Sequence, residues 1–99
     1  SHYSAAKSAI SGLTKCWARE FAPWRINVNA VAPGFVATES RRASVSAEQI
    51  RERAEGMPLG RLCEPIDISH AVAWLAGPET DMMTGQVVSP NAGEVIVGY

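Results

Sequence analysis

Apolar or small side chains recur at Ala6, Ile10, Leu13, Trp17 and Phe21, three or four residues apart, which predicts a helix from residue 3 to about 22 with one buried stripe. Pro23 ends it. A second stripe on that helix, Ala5, Ala9, Gly12 and Cys16, holds only small residues and would let a neighbouring helix or sheet come close. From Arg25 to Ala32 the pattern becomes β-branched, with Ile26 and Val28 alternating with Asn27 and Asn29, and predicts a short, central, largely buried strand closed by Pro33-Gly34. An asparagine in such a strand needs partners and is expected to stabilise a turn rather than touch a ligand. Residues 35 to 45 have no strong period. A weakly amphipathic helix comes next, from about Ser46 to Glu55, with Ser46 and Gln49 fitting a capping box and Gly56 and Pro58 as its stop. Another helix, from about Pro65 to Ala76, offers Ile66, Ile68, Ala71, Val72, Trp74 and Leu75 to a core. Thr80 to Met83 reads as a short connection, Gln86 to Ser89 as the last strand, and Asn91-Ala92-Gly93 as a turn before the apolar tail Val95-Ile96-Val97.

The order helix-strand-helix-helix-strand is that of an α/β chain, and strand, helix, strand at this spacing implies a βαβ unit with parallel strands. Length and composition fit one small soluble domain: 99 residues, 46% hydrophobic, net charge −1. The basic residues are scattered, which argues against nucleic acid. Arg41 and Arg42 stand together beside the unpatterned segment and are expected to be solvated, or else to guard the mouth of a site. There is no apolar run of about 20 residues to cross a bilayer and no signal-like start, so a cytoplasmic location without a membrane partner is expected. Cys16 and Cys63 read as reduced, partly buried thiols, and with His2 and His70 isolated no metal site is expected.

Chemistry concentrates at two places. Tyr3 and Lys7, four apart on the first turns of the first helix, share a face, so a phenol and an ammonium can project into one site. An ammonium held about 5 Å away favours the phenolate by roughly 3 kcal/mol at an effective dielectric of about 20, which suits proton transfer at neutral pH. Such a pair also arises by chance on helix surfaces. The second place is the carboxyl edge of the first strand, where open α/β sheets bind ligands. There Pro33 and Gly34 leave backbone bare for a flat ring, Val36 offers its N–H and C=O, and Thr38 offers a hydroxyl. A simple strand-to-loop turn accounts for the same residues. Segment 35–57 is either a lid over that edge or a surface excursion.

Four blocks in order, Tyr3 to Lys15, Arg25 to Gly34, Pro58-Leu59-Gly60-Arg61 and Thr84 to Val88, make the chain resemble the C-terminal part of the short-chain dehydrogenase/reductase family. The resemblance looks closest to 3-oxoacyl-[acyl-carrier-protein] reductases. It implies the C-terminal portion of a Rossmann-type doubly wound parallel sheet, an incomplete domain over residues 1–99 whose nucleotide-binding half is absent. It implies NAD or NADP as cofactor and hydride transfer to a small carbonyl or acyl-carrier substrate. Tyr3 would be the catalytic acid, Lys7 would hold the nicotinamide ribose, and Val36 and Thr38, after Pro33-Gly34, would meet the carboxamide. It also implies a homotetramer. The sequence departs from the family's pattern in carrying no G-x-G-x-x-G loop, and in reading Ser89-Pro90-Asn91-Ala92-Gly93 where many relatives have Asp-Gly-Gly after the last strand. The missing glycine-rich loop predicts that the chain alone is inactive, and two strands with three helices leave too little to cover the apolar faces of the Tyr3 helix and first strand, which are expected to be exposed. A non-catalytic scaffold for assembly or ligand sensing stands as the alternative.

Overall fold

The structure, a computed structural model, describes residues 1–96. Its elements are α1 (His2–Phe21), β1 (Ala30–Val31), α2 (Glu39–Ser44), α3 (Ala47–Glu55), α4 (Pro65–Ala76) and β2 (Val87–Val88), with 3₁₀ turns at Ala22–Trp24 and Pro78–Thr80. The chain divides into two compact units, Ser1–Val31 with Val72–Val88, and Ala32–Ala71 with the segment from Ser89. The end of the apolar tail, from Val97, lies outside the described residues.

In the first unit β1 and β2 pair in parallel, Ala30 opposite Val87 and Val31 opposite Val88, as the βαβ pattern predicts. The strand expected over Arg25 to Ala32 is much shorter and is not buried: Ala30 and Val31 are half-covered and Ile26 is 50% exposed. Arg25 takes a left-handed φ of 58° as the 3₁₀ turn closes, and the chain facing residues 27–29 is looped rather than extended. Side chains here supplement the backbone bonds, in which the Gly85 N–H donates to the Val28 carbonyl at 2.7 Å and the Ala30 N–H to the Gln86 carbonyl at 2.9 Å. The Asn27 amide donates to the Asp81 carbonyl at 2.9 Å, the Asn29 amide donates to the Met83 carbonyl at 2.9 Å, and the Gln86 N–H donates to Asn29 Oδ1 at 3.0 Å.

α1 has the predicted extent, its apolar stripe is left open as expected for the Tyr3 helix, and the residues it does bury are others. Thr14 and Ala18 are its buried residues, whereas Ile10, Leu13, Trp17 and Phe21 are exposed, as are the small residues of the second stripe. Cys16 is accordingly exposed rather than partly buried, and Cys63 is buried. On α4 the covered side is Ile68, Ala71 and Leu75, with Ile66, Val72 and Trp74 open. Thr80, expected in a plain connection, is only 2% exposed. Its hydroxyl lies 2.9 Å from the Leu75 carbonyl and 3.1 Å from that of Gly77, and supplies a donor to the open end of α4.

The second unit has the apolar cluster Ala37, Met57 and Leu62, with Phe35, Ile50, Ala54 and Ala92 packed against it. Its backbone is tied by a parallel bridge between Val36 and Cys63, in which the Ala37 N–H donates to the Cys63 carbonyl at 2.8 Å. The α3 capping box is present as predicted, Ser46 with Gln49. α2 is an additional helix, started by Thr38, whose hydroxyl accepts the Arg41 N–H at 3.2 Å. The arginine pair is engaged rather than simply solvated: Arg42 meets Glu64 at 2.7 Å and Arg41 lies over the Phe35 ring. Asp67 accepts the Glu64 N–H at 2.8 Å at the start of α4, and Arg61 reaches the same carboxylate at 3.2 Å. The backbone N–H first, and Arg61 second, hold the Asp67 carboxyl below the usual carboxylate range. A depressed folded value contributes stability above the unfolded value, about pH 3.9, and that contribution is lost as pH falls through the folded one. Asp67→Asn is therefore expected to lower the melting temperature at pH 7, with the gap to the unmodified chain closing as pH falls below the unfolded carboxyl value. A gap of constant size across that range would contradict the role given to the carboxylate.

Candidate functional site

The sequence-predicted residues fall into two groups, Tyr3 and Lys7 in the first unit, Pro33, Gly34, Val36 and Thr38 in the second. α1 begins at His2, so Tyr3 and Lys7 lie on successive turns, and the Ala5 N–H already bonds back to the Ser1 carbonyl at 3.0 Å. The expected shared face is present: Lys7 Nζ sits over the Tyr3 ring, 5.4 Å from its centroid. Tyr3 is 68% exposed, so water screens the pair, and an exposed cation over a ring is worth about 0.5–1 kcal/mol rather than the larger figure for a covered pair. A reachable phenol and a cation thus share one face, which is what proton exchange with a bound oxygen needs.

In the second unit, the bridge geometry decides what Val36 presents. Because the flanking Ala37 N–H crosses to Cys63, the N–H of Val36 itself faces the opposite way. Among the described residues that N–H has no hydrogen-bond partner, while the Val36 carbonyl accepts from Thr38 N–H at 2.9 Å. The Thr38 hydroxyl accepts from Arg41 and keeps its own proton to donate. One unspent N–H and one unspent O–H, two residues apart, suit a carboxamide, so this donor set fits the nicotinamide end of a dinucleotide.

Pro33 is exposed, and Gly34 departs from expectation. The Gly34 N–H is spent on the Pro90 carbonyl at 3.3 Å. A Cβ on Gly34 would stand 2.7 Å from Asn91 Cβ, 2.9 Å from Asn91 Cα and 2.9 Å from Glu94 Oε2. The bare side is filled by the tail turn, so close packing demands the glycine there and a flat ring has no room on that side. Asn91 reads from the sequence only as a turn former, and it is one: its Oδ1 accepts the Gly93 N–H at 3.0 Å. Its packing on Gly34 carries no sequence signal, because the partners are far apart along the chain.

Cys63 donates through Sγ to the Pro90 carbonyl at 3.2 Å, and burial pushes its thiol up. This is an inert structural thiol. Among the described residues no group of three His, Cys, Asp or Glu side chains could hold a metal ion, and no helix is long and apolar enough to cross a membrane.

Comparison with known proteins places the chain among relatives. The sequence model of the family described as enoyl-(acyl carrier protein) reductase matches residues 1–94. The chain is 41% identical over 96 residues to a 3-oxoacyl-[acyl-carrier-protein] reductase of Vibrio cholerae, covering 97% of this chain and spanning 39% of that relative's length. It is similar to the crystal structure of a 3-oxoacyl-[acyl-carrier protein] reductase from Brucella melitensis, with a TM-score of 0.86 at 40% identity over 97% of this chain and 35% of that one. A second Brucella melitensis structure, a short-chain dehydrogenase/reductase of the glucose/ribitol dehydrogenase type, gives 0.87 at 31% identity over 97% of this chain and 38% of that one.

Replacing Gly34 with alanine is expected to lower stability by about 1–3 kcal/mol, since backbone atoms of Asn91 must shift to admit the methyl group. Urea unfolding measures the change, and an unmoved midpoint would show that the tail turn does not press on Gly34.

Proposed function

The chain belongs to the short-chain dehydrogenase/reductase family, and from that membership we propose that it takes part in NAD(P)H-dependent reduction of a carbonyl to an alcohol. A 3-oxoacyl group carried on acyl carrier protein, or a close analogue, is the substrate this reading favours. The observation that carries it is the Tyr3–Lys7 pair, phenol and ammonium on one face of α1 with 5.4 Å between Nζ and the ring centroid.

NADH or NADPH would supply the hydride. The Tyr3 hydroxyl would give its proton to the oxygen that becomes the alcohol, and Lys7 would hold ribose hydroxyls beside it. Val36 N–H and the Thr38 hydroxyl would bind the carboxamide, one donor each, and so orient the ring. Of the Pro33-Gly34 corner, the reading keeps only the exposed Pro33 and the backbone outside the Asn91 contact. Assembly into a homo-oligomer belongs to the same proposal, supported by the apolar face that α1 leaves open at Ile10, Leu13, Trp17 and Phe21.

In the full-length natural protein, Tyr3→Phe is expected to cut carbonyl turnover by about 10²–10⁴-fold. Binding of NADPH or NADH, read by the cofactor's fluorescence, should persist. Equal turnover by the phenylalanine variant would make Tyr3 structural and favour the non-catalytic scaffold. The 99 residues hold no G-x-G-x-x-G loop to seat a pyrophosphate, so the purified chain by itself is expected to oxidise no NAD(P)H against 3-oxoacyl or small ketone substrates. Clear turnover by that chain would contradict the expectation.

A further inference from the structure

We propose that Phe35 is a positioning residue: with two guanidinium groups over its ring, it fastens the α2–α3 segment to the loop that presents the Val36 N–H. The inference rests on the reading of Val36 as a cofactor contact. Arg41 Cζ lies 4.4 Å from the Phe35 ring centroid and Arg53 Cζ lies 4.3 Å from it. Arg41 belongs to α2 and Arg53 to α3, so two successive helices converge on one side chain.

Where that side chain sits matters to the next residue in the chain. The Val36 N–H belongs to the planar peptide unit that starts at the Phe35 carbonyl, so a shift of Phe35 turns that N–H directly. Arg53 also faces Glu94 at 3.7 Å, and Glu94 Oε2 stands 2.9 Å from the place a Gly34 Cβ would take. Contacts therefore surround residues 34–36 on several sides. The other contacts of the α2–α3 segment lie near its surface: neither helix contains a buried residue, Ile50 and Ala54 are only partly covered where they pack on the apolar cluster, and the Arg42–Glu64 pair is exposed.

Packing alone explains a large apolar residue at position 35, since Phe35 leans on Ala37, Met57 and Leu62. It does not explain two cations over an aromatic face, where the ring's quadrupole attracts them and an aliphatic chain would not. The ring and the arginines together thus make segment 39–57 and the Val36 peptide hold one mutual arrangement.

The test uses the full-length natural protein with Phe35→Leu, which keeps bulk without a π face, and Phe35→Tyr, which keeps the ring. A third variant, Arg41→Gln with Arg53→Gln, removes the cations and leaves the core untouched. Amide hydrogen exchange over residues 39–57 is measured without cofactor, and NADPH and NADH are titrated by fluorescence. Phe35→Leu and the double glutamine variant are each expected to speed exchange in that segment by about tenfold and to weaken cofactor binding by a similar factor, while Phe35→Tyr restores both. Unchanged exchange in Phe35→Leu, or a tyrosine variant as impaired as the leucine one, overturns the proposal. If exchange responds as expected but the unmodified protein binds neither nucleotide, the cofactor reading fails and the fastening by Phe35 stands.

Discussion

The bridge between Val36 and Cys63 governs what the second unit offers to a ligand. A parallel bridge lets the residues flanking Val36 bond across and turns Val36's own peptide groups the other way. From that single constraint come a Val36 N–H with no partner among the described residues, the pointing of Phe35 and Ala37 toward the apolar cluster, and the placing of Thr38 where its hydroxyl starts α2. Cys63 serves this arrangement through its backbone and through the contact of its thiol with the Pro90 carbonyl. Its chemistry is that of a small buried hydrophobe.

In the first unit the corresponding constraint is helical. Four residues on an α-helix return to the same face, so Tyr3 and Lys7 meet without help from any other element. Each unit by itself has its own kind of precision, a side-chain pair fixed by helix pitch in the first and a backbone donor fixed by strand pairing in the second. Beside the two-residue strand pair, the Asn27 and Asn29 side chains add hydrogen bonds to the looped neighbour on top of those the backbone makes.

Much of this was legible in the sequence wherever the controlling interaction is local. The capping box at Ser46 and Gln49, the proline and glycine stops, the helix of Pro65–Ala76 and the i, i+4 pair all depend on residues within a few positions of each other. What was not legible depends on distant partners. That Thr14 and Ala18 are the covered residues of α1 is set by what packs on them, while the stripe of Ile10, Leu13 and Trp17 stays open, as the expectation of exposed apolar faces on this helix had it. Thr80 gives no sign in a short polar connection that its hydroxyl closes the end of α4. Gly34 suggested room for a ring, whereas the turn at Asn91, 57 residues on, occupies it. Phe35 sits in an unpatterned stretch, and its arginines lie 6 and 18 positions downstream.

Everything proposed for the second unit requires the Val36 N–H to be a free donor awaiting a carboxamide, on the same family scaffold that carries the Tyr3–Lys7 pair. Amide chemical shifts of the ¹⁵N-labelled full-length natural protein, followed as NADP⁺ or NAD⁺ is added, test this requirement without relying on turnover. The Val36 amide proton is expected to move downfield on binding, as a new hydrogen bond requires, while the Ala37 amide, already bonded to Cys63, moves little. Saturable nucleotide binding that leaves the Val36 amide where it was would contradict it.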